Sequence, residues 1–446
     1  MSVPIDRARP VEARRLSSWR MLADTVTVGG WTAAVKVAGA VKVILAARLF
    51  GAGDAMDAYL IAFLAPSFFI DILGGSLDSA LIPSLIEVRQ KQGRHAAAAL
   101  YESVLASAGA ILLVAALATA VFSGRLIPVL ASGFEPAKLS LTRHLLLMMV
   151  AIAPLNALSS TWRAVLNSEH HFAYAAAVPI ITPAVSIVAL LIGRGYGIEV
   201  LALATVTGGV LEVVLTGAGA WRMGYALLPR WSGVSAELRQ AAEQYVPLVA
   251  MTLVMTGSGV IDQAMAGHLG SGSVAALSYG TRLLGVLIVI GPTAVGTAVL
   301  PHISAATVSR ERMAVRRRLA AYSIAVLAVM LPATAALMYF SEPIIRILFQ
   351  QGAFSQEATR LVASVQRASL LQLPLAVLLA LEIRLTSAWR ANRSLYHVAA
   401  LSLLLTCALD VAFMRWLGVV GIALAGAVTR LVSSLYLSCK IYYLRV

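Results

Sequence analysis

A series of apolar runs, each about as long as a bilayer is thick, decides what this chain can become. Twelve stand out in the 446 residues, at about 26–50, 57–88, 98–123, 140–166, 172–193, 198–221, 243–268, 273–305, 319–341, 360–387, 395–415 and 418–440. A helix that crosses hydrocarbon needs roughly 20 mostly apolar residues. The runs are continuous rather than alternating, and in lipid only helices and closed barrels satisfy every backbone N–H and C=O. The expectation is therefore an all-α polytopic membrane protein with about 12 transmembrane helices. With 59% hydrophobic and 13% charged residues, a water-soluble core-and-surface arrangement is excluded.

The runs are not independent. GAGDAMDAYLIAFLAPSFFIDILGGSLDSALIP, residues 51–83, returns as GSGSVAALSYGTRLLGVLIVIGPTAVGTAVLP, residues 270–301. Gly51 maps to Gly270 (270 − 51 = 219) and Gly133 of VLASGF maps to Gly352 of ILFQQGAF (352 − 133 = 219). A duplication predicts two six-helix lobes. Six spans is an even number, so both lobes insert the same way round and form a parallel repeat, an arrangement common among transporters. The division reads as a basic cytoplasmic tail (1–25), an N-lobe (26–221), a polar linker (222–242) and a C-lobe (243–446). The paired segments are also rich in Gly and Pro (Pro66, Gly74, Gly75; Gly285, Gly291, Pro292, Gly296), which suits either bending or close helix packing.

A net charge of +14 invites a nucleic-acid reading, but the charges sit where topology wants them. With a cytoplasmic N-terminus, twenty Lys and Arg fall in cytoplasmic segments, among them Arg14, Arg15, Arg89, Lys91, Arg94 and the run Arg316, Arg317, Arg318. Only six fall in the opposite loops: Arg125, Lys138, Arg194, Arg346, Arg360 and Arg415. This is the positive-inside bias, and it places both termini in the cytoplasm of a multi-pass cytoplasmic-membrane protein. Cys407 and Cys439 lie in spans and imply no disulfide framework. The histidines show no metal-ligand spacing, and no nucleophile elbow or phosphate loop appears, so the expectation is a transporter without a cofactor rather than an enzyme.

Ionisable groups inside the membrane are costly and so mark function. Lys36 and Lys42 lie in the first span, and Arg282 in the eighth. A cationic wall of this kind suits a phosphate-bearing substrate, because Arg binds it bidentately and Lys as a point charge. Asp57 is either a helix N-cap or part of that site. Asp71 and Asp78 in the second span are candidates to pair with Lys36 or Lys42. Asp262 and Asp410, lone carboxylates in the seventh and eleventh spans, are candidates for a Na⁺ or H⁺ site. Glu382 and Arg384 in the tenth are candidates for a local pair.

The strings ARLFGAGDAMDAYLIAFLAPSF, LIPSLIEVRQKQG, SYGTRLLGVLIVIG and ILFQQGAFS resemble the MurJ/MviN family of lipid II flippases, within the multidrug/oligosaccharidyl-lipid/polysaccharide exporter superfamily. The resemblance implies two six-helix lobes around a central cavity and alternating access that moves a polyprenyl-diphosphate-linked glycan outward. It places the family's first-helix basic residues at Lys36 and Lys42, its eighth-helix R-L motif at Arg282, and its early acid at Asp57. Cation-binding acids of some relatives fall at Asp262 and Asp410. Two departures stand out: PSFFID puts Ile70 and Asp71 where the family usually has arginines, and the sequence ends after twelve spans where fourteen are common. The resemblance thus implies lipid II or a related lipid-linked envelope precursor as substrate, in the bacterial inner membrane alongside envelope-biosynthesis proteins. The alternatives are a cation-coupled drug exporter of the same superfamily and a non-transporting scaffold.

Overall fold

A computed structural model describes residues 9–193, 195–228, 233, 236–288, 312–388 and 392–443, and among them there is helix but no strand. The helices in order are α1 Arg9–Phe50, α2 Asp54–Gln92, α3 Arg94–Leu130, α4 Pro136–Met149, α5 Ile152–Ser168, α6 Phe172–Ala177, α7 Ile181–Ile192, α8 Glu199–Arg222, α9 Ala236–Ala266 and α10 Ser273–Gly280. Then come α11 Arg312–Tyr339, α12 Ser341–Phe349, α13 Gln356–Leu370, α14 Gln372–Ala388, α15 Asn392–Leu417 and α16 Val419–Tyr443. Helix resumes after α10 and is described to Ile288.

Nine helical stretches among the described residues are long and apolar enough to cross a membrane. The other three expected spans fall on α1, on α9 and on the segment from Ser273, whose continuation through Gly291, Pro292 and Gly296 lies outside the described residues. Apolar side chains are turned outward in a way water would not tolerate. On α3, Ile111, Val114, Leu117, Val121 and Phe122 are all exposed. A surface of this kind belongs in hydrocarbon. Exposed Trp221 and Trp416 close the ends of α8 and α15, where indole rings favour the membrane–water boundary.

The duplication is visible in the backbone. Helices end at Leu130 and Phe349 (349 − 130 = 219) and begin again at Ile152 and Gln372 (372 − 152 = 220). Two runs that read as single spans, 140–166 and 360–387, are each broken once, between Met149 and Ile152 and between Leu370 and Gln372. The cause is a proline in each copy, Pro154 and Pro374, whose ring crowds the carbonyl four residues back, at Val150 and Leu370.

Contacts gather the chain into two units. The first comprises Met1–Leu45, Leu73–Leu117 and Met149–Val246, and the second Ala46–Ile72, Ala118–Met148 and Pro247–Val446. The first unit has a core of Leu81, Leu85, Leu100, Tyr101, Leu105 and Trp162, with Ala220 and Tyr225 completing it. A polar relay crosses this core. Trp162 Nε1 donates to the Tyr101 hydroxyl at 2.7 Å, and that hydroxyl donates to the Ala226 carbonyl at 2.8 Å. Arg94 Nη2 donates to the Met223 carbonyl at 2.6 Å, so the chain leaving α8 is held at both points. Tyr225 donates to Glu169 Oε1 at 2.7 Å. Burial, with the Glu169 carboxylate adding, pushes the Tyr225 phenol up to about 12, so it stays a donor at any working pH.

Tyr101→Phe removes the centre of this relay and leaves a buried indole N–H and a carbonyl without partners. It is expected to cost about 1–3 kcal/mol, the penalty for orphaned buried polar groups. Thermal unfolding of the purified protein in detergent should show a clear drop, and an unchanged transition would mean that the relay is not coupled to stability.

Candidate functional site

The second unit is built around a carboxylate. The chain turns out of α1 at Gly51, whose φ of 67° is a conformation that only glycine takes without strain. α2 then starts with Asp54 and Asp57 in its first turn, where the positive end of the helix dipole favours acids. Asp57 is fully buried, and its oxygens leave its own helix. Oδ2 accepts from the Gly272 N–H at 2.7 Å and Oδ1 from the Ala275 N–H at 2.8 Å. These are the first open donors of α10. Its N-cap residue is Gly272, which has no side chain with which to cap the helix. Asp57 is thus an N-cap, as one reading of the sequence had it, but of a helix 215 residues further on.

Lys138, at the start of α4, completes the cluster. Its Nζ lies 2.8 Å from Asp57 Oδ2 and 2.6 Å from Asp54 Oδ1, and 3.8 Å from the centre of the Phe134 ring. Around this clamp, two backbone crossings repeat the duplication. The Ala353 N–H donates to the Arg48 carbonyl at 2.8 Å, and Gly352, with a φ of 64°, lies against that carbonyl so closely that a Cβ would overlap it. In the other copy, a Cβ on Gly133 would stand 2.6 Å from the His268 carbonyl oxygen. Tyr279 adds its hydroxyl at 3.4 Å from the Gly51 carbonyl. Residues 46–57 and 133–138 from the first half of the chain are therefore tied to 268–279 and 348–353 from the second.

Arg282 lies one turn beyond Tyr279, with the rings of Tyr59 and Tyr279 as neighbours. Its side chain is exposed, and it makes no ion pair among the described residues. In the first unit Lys36 is exposed, and Lys42 is partly buried with its Nζ 3.3 Å from Thr205 Oγ1. Asp71 is exposed, and the side chain of Asp78 lies outside the described residues.

Two further acidic centres occupy the second unit. Asp262 on α9 and Asp410 on α15 lie within electrostatic reach of one another, and Arg430 of α16 within reach of Asp262; neither Asp410 oxygen nor Asp262 Oδ1 has a hydrogen-bond partner among the described residues. Glu382 on α14 is buried, and its Oε1 accepts from Ser434 at 3.0 Å and also from Ser438, both on α16. Arg384, expected beside it as a salt-bridge partner, forms no ion pair among the described residues, and Glu382 is held by hydroxyls instead.

Sequence reasoning missed Lys138 and Arg430. Lys138 entered only as one of six outward charges, and nothing local marks it as the counter-ion of an acid 81 residues away. Arg430 did carry a signal: it is an ionisable residue inside an apolar run, as Asp410 is.

Apolar helices turned to lipid, a duplicated backbone and unpaired charge within the spans define a polytopic membrane protein of the transporter type. The chain belongs to the MurJ family: the family described as lipid II flippase MurJ matches residues 46–443. A probable lipid II flippase MurJ of Rhizobium tropici is 27% identical over 430 residues, 94% of this chain and 80% of the relative. One from Thermotoga maritima is 26% identical over 406 residues, 91% of this chain and 82% of the relative. Among solved structures, a lipid II flippase MurJ in an inward closed conformation superposes with a TM-score of 0.78 at 21% identity, over 94% of this chain and 87% of the other. An inward-facing multidrug resistance MATE family transporter of the MOP superfamily follows at a TM-score of 0.72 and 14% identity, over 92% and 94%. These two likenesses establish the fold.

Proposed function

We propose that the protein flips a polyprenyl-diphosphate-linked glycan, lipid II foremost, across the bacterial cytoplasmic membrane, with both termini in the cytoplasm and without chemical conversion of the lipid. The observation that carries this reading is Arg282, a cation on an apolar helix with no carboxylate paired to it among the described residues. A charge placed there without a partner is costly, and an anionic substrate offsets that cost. A diphosphate offers the oxygens that a guanidinium binds best. The family resemblance places further basic residues at Lys36 and Lys42, and family membership supports a lipid-linked diphosphate over other anions.

The clamp at Asp57 gives the cycle something to release. It joins the end of α1, the start of α2 and Lys138 to the N-terminus of α10, so that end stays shut until both backbone donors and the ammonium let go of one carboxylate. Asp262 and Asp410 are the site for the coupling cation.

Complementation of a bacterium depleted of its own MurJ tests the function. The wild-type chain is expected to restore growth, Arg282→Ala to abolish rescue, and Lys42→Ala to weaken it. One charge-assisted contact contributes about 1.5–3 kcal/mol, roughly a 10- to 100-fold change in affinity. Failure of the wild type despite confirmed membrane insertion would remove lipid II as substrate.

A further inference from the structure

We propose that Arg125 on α3 and Arg143 on α4 hold the phosphate of an anionic phospholipid, whose acyl chains lie against the apolar side chains beside them. The site stands independently of the flippase reading above. Only the leaflet it draws from rests on the orientation given there, which makes it the outer one.

α3 ends at Leu130 and α4 starts at Pro136, so a short connection joins the two helices at this end of the second unit. A cleft of about 290 Å³ is lined here by Val121, Phe122, Gly124, Arg125 and Arg143. Gly124 keeps it open: the nearest atom to an added Cβ would be Arg143 Cζ, at 3.9 Å. Arg143 is oriented by Ser123, which is fully buried. Its Nε donates to Ser123 Oγ at 3.2 Å, and the Ser123 hydroxyl donates to the Ala120 carbonyl at 2.7 Å. The guanidinium is thereby fixed at one edge, and Nη1 and Nη2 have no partner among the described residues. Arg125 makes no hydrogen bond or ion pair among them. Between 103 and 149 the sequence holds a single acid, Glu135, and it forms no ion pair among the described residues either.

The duplication supplies an internal comparison. Ser123 maps to Glu342 (342 − 123 = 219). In the second copy Glu342 pairs with two arginines, Arg346 at 3.3 Å and Arg367 at 3.4 Å. The first copy also brings two arginines to this end but has a hydroxyl where that carboxylate stands, so their anion comes from outside the chain. Snorkelling accounts for one arginine near a span end. It does not account for two, from different helices, lining one cleft with one of them fixed through its Nε. Guanidinium forks match the oxygens of a phosphate. The rest of the lining gives the other half of the ligand. Val121 is 74% and Phe122 55% exposed, and Leu147 on α4 is exposed as well. A soluble anion gains nothing from such walls, whereas acyl chains cover them. Depth agrees. Arg125 stands five residues from the end of α3 (130 − 125 = 5), about 7–8 Å along a helix, which leaves its head within reach of the headgroup layer.

Native mass spectrometry tests this with the full-length protein released from nanodiscs that contain equal amounts of phosphatidylglycerol and phosphatidylcholine. The wild type is expected to retain phosphatidylglycerol in preference to phosphatidylcholine. Arg125→Gln combined with Arg143→Gln changes two exposed side chains, so it should fold as the wild type does and lose that preference by roughly 10-fold, the effect of one charge-assisted contact. Ser123→Glu installs the carboxylate of the second copy and should lose it too. An unchanged preference in the double variant would overturn the proposal. Inorganic phosphate, added to protein in nanodiscs of phosphatidylcholine alone, reads the soluble alternative. No binding is expected, and saturable binding that the double variant lacks would overturn the assignment to a lipid. A wild type that retains phosphatidylglycerol through these arginines but fails to rescue a MurJ-depleted bacterium would sink the flippase reading and leave this site standing.

Discussion

Asp57→Ala is expected to lower stability by about 3–5 kcal/mol, the range for removing one member of a buried ion pair. Three interactions end together. The Gly272 and Ala275 N–H groups lose their acceptor, and Lys138 keeps only Asp54, whose side chain is 62% exposed and a weaker partner in water. Asp57→Asn is expected to be milder, because an amide oxygen can still accept one backbone N–H. Lys138→Met leaves the cap in place and removes the cation, so the loss should be smaller again. If the double variant Asp57→Ala with Lys138→Met is more stable than Asp57→Ala alone, the stranded ammonium accounts for the difference. Calorimetric unfolding in detergent separates these cases. An Asp57→Ala protein as stable as wild type would show that the clamp contributes nothing to holding this end.

Gly133→Leu and Gly352→Leu are the second pair with large expected effects. At Gly352 a side chain meets both a left-handed backbone, at about 1–2 kcal/mol, and the Arg48 carbonyl. At Gly133 it meets the His268 carbonyl oxygen from 2.6 Å at the Cβ alone. Forcing extra atoms into a packed contact costs typically about 1–3 kcal/mol. Because the two glycines are equivalent in the duplication, both variants should loosen the same end of the second unit. Labelling of single cysteines placed near 52 and 271 reports this, after replacement of the exposed native Cys407 and Cys439. Faster labelling in both variants is expected. Loosening in one alone would mean that the two crossings do not bear the load equally.

The class of fold was legible because its signal is additive. Twelve apolar runs and a charge bias need no knowledge of which helix touches which, and helix is the conformation that satisfies the backbone in lipid without a partner strand. Gly51, Gly133 and Gly352 were also legible, through the period of 219 residues, and each proved to sit at a turn or close crossing. The breaks at Val150 and Leu371 were not foreseen, although Pro154 and Pro374 carried the instruction; a proline near a helix start reads as benign until its i−4 carbonyl is considered. Asp57 was recognised as important, but its partners were not. The N–H groups of Gly272 and Ala275 are backbone atoms that any sequence would supply, and they become donors only where a helix begins without a cap.

By itself, then, the sequence determined a duplicated, membrane-embedded helical chain, its family, and a short set of ionisable residues too costly to be idle. Hydropathy, period and charge are sums along the chain, so they survive without coordinates. Tertiary structure alone decided which of those charges meet. Lys138 found Asp57 across 81 residues, and Ser434 and Ser438 found Glu382. Hydrogen bonds act over about 3 Å, and only packing brings groups so distant in sequence within that range.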